Sequence, residues 1–153
     1  MNRNTIAKEI QKRLVAITTG NGYSYSVTAV LRNPEEEPSP DLMPIITMFE
    51  LTDRIDEERR LGASRMPAYK RSFQVALELW RKSTTSGLVS QDVLTMLSDV
   101  RKVIFADGTT LGGIASHVVE LETSRIFRPP IGNYVGGIGI LLEIKYTEDF
   151  SLL

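Results

Sequence analysis

The stretch "NYVGGIGILLEIKYTEDF", residues 133–150, sets three glycines in front of a long apolar run, and its reading decides between two folds. A glycine loop whose amides hold a phosphate would make a nucleotide enzyme, whereas glycines inside a strand mark the close approach of another segment. The dinucleotide pattern needs a strand followed by G-x-G-x-x-G at the start of a helix. Gly137-Ile138-Gly139 supplies only its first half, and Leu142 stands where the third glycine belongs. Beyond them Ile138, Ile140, Leu142, Ile144 and Tyr146 alternate with Gly139, Leu141, Glu143, Lys145 and Thr147, the period of a strand. The glycines therefore lead into a strand, and Gly136, Gly137 and Gly139 are expected to admit a nearby backbone or a bulge.

The clearest strand lies in the middle of the chain. In residues 68–82, Tyr69, Arg71, Phe73, Val75, Leu77 and Leu79 alternate with Lys70, Ser72, Gln74, Glu78 and Trp80. Residues 23–31 alternate Tyr23, Tyr25, Val27, Ala29 and Leu31 against hydroxyls, and "MPIITMFELTD" reads as a further strand with a continuous apolar run. In "ASHVVELETSRIF", His117, Val119, Leu121 and Phe127 share one parity, and Glu120, Glu122 and Ser124 the other.

Two segments carry helical spacing instead. Ile6, Ile10, Leu14 and Ile17 fall on one helix face, with Asn4 or Thr5 placed to cap it. Val93, Leu94, Met96, Leu97, Val100 and Ile104 form a second apolar face behind Ser90 as cap, with Asp92 in the first turn and Arg101 and Lys102 in the last. The order helix, three strands, helix, two strands predicts one α+β domain over residues 1–153. Its mixed or antiparallel sheet has about five strands and carries two helices.

Between the second and third strands lies the most charged passage of the chain. Residues 53–67 hold Arg54, Asp56, Glu57, Glu58, Arg59, Arg60 and Arg65, with Gly62 and Pro67 inside. This length exceeds a tight hairpin, so the passage is expected to be a protruding arm or long loop that is solvated, contacts a neighbouring subunit or lines a channel. Trp80, on the polar parity of its strand, is expected either beneath a helix or as an interface anchor.

Composition narrows the function classes. The chain has 153 residues, 42% hydrophobic and 24% charged, the balance of a globular protein able to bury roughly 70% of its unfolded surface. Its 18 basic residues against 19 acidic ones argue against tight nucleic-acid binding by the whole surface. Cysteine is absent, which excludes disulfides, a cysteine nucleophile and thiolate metal sites. Neither a signal-peptide core nor a membrane-length apolar run is present, and nothing points outside a cytoplasm.

Catalytic and cofactor motifs are missing as well. There is no G-x-x-x-x-G-K-[ST] loop and no G-x-S-x-G elbow. His117 is the sole histidine, which rules out a histidine-pair metal site, and its apolar parity predicts a partly buried structural role. A small enzyme or ligand-binding domain using His117 with Glu120 or Glu122 is opposed by parity, since the histidine and the glutamates point to opposite faces. Glu35, Glu36 and Glu37 sit in the proline-rich loop "RNPEEEPSPDL", where a solvated role is expected over metal binding. No catalytic, cofactor-binding or metal residue is expected.

The passages "DEERRLGASRMPAYKRSFQVALELW", "DVLTMLSDVRKVIF" and "LGGIASHVVELETSRIFRPPIGNYVGGIGILLEIKYTEDF", in this order, resemble the tail terminator (tail completion) proteins of long-tailed bacteriophages and related contractile tails. The likeness spans residues 6–150 and rests on element order and short phrases. It implies a homo-hexameric ring on the end of the tail tube, which stops tube polymerisation and offers the head-tail connector a docking surface. It further implies a virion location in the tail or neck after assembly in the host cytoplasm. Partners would be the tube protein, connector or neck proteins and, in contractile tails, the sheath, with DNA passing through the channel without sequence-specific binding. Another neck component or a tail-tube-like ring protein is the alternative within the same class.

Overall fold

A computed structural model describes residues 2–61, 66–128 and 134–149. The two alternating stretches become the centre of one sheet. Strand β3 (Met66–Lys82) pairs antiparallel with β5 (Val135–Asp149), from Ala68 opposite Asp149 to Lys82 opposite Val135. On the other side β3 pairs antiparallel with β2 (Ile45–Leu61), and β1 (Ala29–Arg32) adds to β2 in parallel. Strand β4 (His117–Thr123) pairs antiparallel with β5, so the five-stranded mixed sheet runs β1-β2-β3-β5-β4. The α+β order read from the sequence is the observed one.

Both helices pack on the same face. Helix α1 (Arg3–Val15) buries Ile6, Ile10 and Leu14 fully, and Ile17 follows them. Helix α2 (Val89–Ile104) contributes Val89, Val93, Met96, Leu97, Val100, Val103 and Ile104. Under them lie Phe73, Val75, Leu77 and Leu79 of β3 and Ile138, Ile140, Leu142, Ile144 and Tyr146 of β5, in a single core. Each aliphatic or phenyl side chain so buried contributes about 1.5–3 kcal/mol, more than helix propensity differences can offset. Arg13 locks the helices together. Its guanidinium donates to the Val103 and Ile104 carbonyls at the end of α2 at 3.3 and 3.2 Å and to Asp107 at 2.7 and 3.0 Å. It thereby satisfies carbonyls that a helix terminus leaves without partners.

Several boundaries differ from expectation. The cap of α1 is Asn2, whose side chain accepts from the Thr5 amide at 3.0 Å, rather than Asn4 or Thr5. Helix α2 starts before Ser90, at Val89, and has no side-chain cap. Its residue Asp92 instead accepts from the Ser83 hydroxyl at 2.5 Å, and Leu94 faces outward. Residues 23–28 are not strand. Tyr25 still points inward, but the backbone there bonds to Asp99 and Ile17 instead of a neighbouring strand. None of the described helices is long and apolar enough to cross a membrane.

The loop reading of residues 53–61 is overturned: they are the outer half of β2, in register with β3 down to Leu61 opposite Met66. Two bulges, between Glu50 and Asp53 and between Ile55 and Glu57, keep this charged strand paired while breaking its alternation, which hid it from a period-two reading.

Candidate functional site

The sheet is not equally wide along its length. Strand β1 pairs only with residues 45–48, and β4 reaches no further along β5 than Lys145. Beyond these rows, among the described residues, only β2, β3 and β5 continue, as a three-stranded extension.

Bulge geometry aims its charges. Asp53 turns toward the helix side, where the Tyr146 hydroxyl donates to it at 2.8 Å and the Arg71 guanidinium lies 3.8 Å away. Arg71 also meets Glu148 at 3.4 Å. Burial and the hydrogen bond to Asp53 push the Tyr146 phenol well above its ordinary range. On the opposite face Asp56, the extra residue of the second bulge, accepts from the Ser72 hydroxyl, with Arg54 at 3.1 Å and Lys145 at 3.6 Å. The hydroxyl and the cations hold its carboxyl below the usual aspartate value. Arg54 and Asp56 are thus brought into one network. Glu57, Glu58, Arg59 and Arg60 stand on β2 opposite Lys70, Tyr69, Ala68 and Pro67. Their side chains lie outside the described residues, as does Arg65 altogether.

The face of the sheet away from the helices carries Thr47, Phe49 and Leu51 of β2, Gln74, Ala76, Glu78 and Trp80 of β3, and Gly139, Leu141 and Glu143 of β5. Neither α1 nor α2 lies on it. Trp80 is 5% exposed, and what covers it is Phe127, whose ring meets the indole edge-on with centroids 5.2 Å apart. The indole Nε1 donates to the Thr47 hydroxyl at 3.1 Å. Phe127 reaches this position across Gly137, with which it exchanges backbone hydrogen bonds. Beside the pair opens a pocket of about 370 Å³ lined by Phe49, Trp80 and Phe127, by Thr47 and Glu78, and by Glu35–Glu37 of the proline-rich loop. All three loop glutamates are exposed and make no ion pair with a described residue.

His117 is exposed, contrary to its apolar reading, and Val118 takes the buried place instead. A bulge at Leu121 shifts the parity. Glu120 stays on the helix side, paired with Arg101 at 2.7 Å, whereas Glu122 crosses to the face of His117. His117 lines a cleft with Asp56, Lys145 and Tyr146, and among the described residues no group of three or more metal-ligating side chains is assembled.

The glutamate loop and Phe127 were missed as site residues. Only the tertiary path of residues 33–41 and 124–128 brings them to Trp80, and no local spacing signals that. Ser72 and Lys145, by contrast, share the outward parity of β3 and β5. No protein-family model matches the chain, and neither does any curated protein.

Proposed function

We propose that this chain is a structural subunit that closes head to tail into a ring, acting as the tail terminator of a bacteriophage tail. A ring made by one repeated contact needs two different surfaces on each subunit. The observation that carries the reading is the one-sided sheet. The face turned away from the two helices holds an aromatic, carboxylate-rimmed pocket at one end, and Arg54 and Asp56 stand further along β2, where the three-stranded extension begins. Mixed charges of this kind fix register more than they add affinity. The resemblance in element order and phrases supplies the tail context: the ring sits on the last ring of the tube, halts its growth and receives the head connector. No catalytic step is assigned to it.

Negative-stain microscopy of the purified protein, alone and mixed with tail tubes, tests this. Rings that bind tube ends are expected. A monodisperse monomer that ignores tubes would sink the proposal, and self-polymerisation into long tubes would favour a tube protein.

A further inference from the structure

Carboxylates in this fold are mostly matched where they stand, and the exceptions gather at one place. Glu50, Asp53, Asp56, Asp107 and Glu120 each meet an arginine at 2.7 to 3.8 Å. Glu35, Glu36, Glu37 and Glu78 instead line the pocket beside Trp80 together, form no ion pair with a described residue, and have no lysine, arginine or histidine in the lining with them. A cleft lined by charge of one sign concentrates ions of the other. Its floor is aromatic. Phe49 and Phe127 are partly exposed and offer their rings, while the buried indole of Trp80 donates to the Thr47 hydroxyl, which in turn donates to the Glu78 carboxylate at 3.4 Å. The glutamate loop is tied down before any ligand arrives. At its start the Asn33 amide donates to the Met48 carbonyl at 2.7 Å, and the Asn33 side chain accepts from the Glu50 amide at 2.9 Å. Pro34 and the buried Pro38 bracket the three glutamates and restrict the backbone on either side of them.

We propose that this pocket is a socket for an arginine side chain carried on a segment of a partner protein. A guanidinium is planar, weakly hydrated and forked, so it can meet the rim carboxylates through its N–H groups while its plane stacks on Phe49 or Phe127. A lysine ammonium is a strongly hydrated point charge that gains less from the rings. The volume of about 370 Å³ falls within the range of small-ligand pockets, roughly 300–1,000 Å³. Free arginine suits the lining poorly, because its own carboxylate would meet four others and no cation. Arginine within a peptide carries no such group. A bare divalent cation would leave the aromatic floor unused, and among the described residues no group of three or more metal-ligating side chains is assembled. The inference stands on the pocket's lining, not on ring closure.

Trp80 is the chain's single tryptophan, so its fluorescence reports on the pocket directly. Titration with the peptide acetyl-Gly-Arg-Gly-amide is expected to give a saturable change in that emission, weakened by added salt. The same peptide with citrulline, the uncharged isostere, should bind at least tenfold more weakly, and the lysine peptide and free arginine several-fold more weakly. A variant carrying E35Q, E36Q and E37Q should lose at least tenfold in affinity with its unfolding midpoint unchanged, since these side chains are exposed and unpaired. Asp41→Asn, on the same loop but outside the lining, should stay within twofold of wild type. Equal binding of the arginine and citrulline peptides, or a triple variant that binds like wild type, overturns the socket. Calcium chloride alone giving the same emission change, lost in the triple variant, overturns it in favour of a metal. An emission change on diluting the protein by itself, in step with loss of oligomers by mass photometry, overturns it in favour of a second copy of this chain as occupant.

Discussion

Phe127 lies across Gly137. The two residues exchange backbone hydrogen bonds at 2.9 Å in each direction, and a Cβ on Gly137 would stand 2.4 Å from the phenyl ring and 2.9 Å from the Leu79 carbonyl. The glycine is what lets the ring pass over the strand to Trp80. Its neighbour Gly136 serves the other face, where an added Cβ would meet Val89 of α2 at 2.4 Å.

Gly137→Val is expected to lower the unfolding free energy by about 3 kcal/mol, the upper end of the usual cost of overpacking. Gly139→Ala, whose Cβ would first meet the Ser124 hydroxyl at 3.4 Å, should cost well under half as much. Urea titrations of both variants check the contrast. Equal losses would mean that the ring over Gly137 is not the constraint.

Glu50 ties three elements together. It receives both Arg32 donors at 2.9 and 3.0 Å and the Asn33 amide at 2.6 Å, with Arg3 at 3.6 Å. The Arg32 guanidinium, above all, holds its carboxyl below the ordinary value of 4.5. A depressed carboxylate contributes stability that is complete above its unfolded value and is lost as pH falls through its folded one. Glu50→Gln is therefore expected to cost about 1.5–3 kcal/mol at neutral pH. The gap to wild type should close as pH drops below about 4 in denaturation curves. A gap independent of pH would assign the loss to packing.

Asp99 is buried on α2, where it accepts from the Ser24 amide at 2.9 Å and lies 3.7 Å from Lys102. Asp99→Ala leaves that amide without a partner and should cost about 1–3 kcal/mol. Asp99→Asn keeps an acceptor and should lose less. Thermal melts of the two rank them, and the reverse order would show that charge, not the acceptor, matters at this site.

Burial raises the phenols of Tyr25 and Tyr146 far above the ordinary value of 10, and Asp99 and Asp53 push in the same direction. A raised phenol stabilises the fold below the unfolded value and loses that contribution as pH climbs past it. Tyr25→Phe and Tyr146→Phe should each leave the native ultraviolet titration unchanged and reduce only the absorbance step that accompanies alkaline unfolding. A smaller native step in either variant would refute the assignment.

Alternation made β3 and β5 legible because each buries one face under helices and leaves the other open, so every second side chain is apolar. The helices announced themselves through Ile6, Ile10 and Leu14 and through Val93, Met96, Leu97 and Val100. Where bulges enter, the period fails: two of them hid residues 53–61 as strand, and a third, at Leu121, carried Glu122 to the face of His117. Trp80 was visible as an exception to its strand's polar parity. Its cover was not, because Phe127 arrives through a separate backbone bridge to Gly137.

The extension also leaves one strand edge open. From Leu51 onward the outer edge of β2 has no strand beside it among the described residues, so its amides and carbonyls offer a template on which another chain could add. Along this edge run Asp53, Arg54, Asp56, Glu57, Glu58, Arg59 and Arg60, and bulges twist it twice. Charge and irregular pleating are the devices by which proteins discourage fibrillar stacking. An edge of this kind works against strand-to-strand addition between copies of the chain.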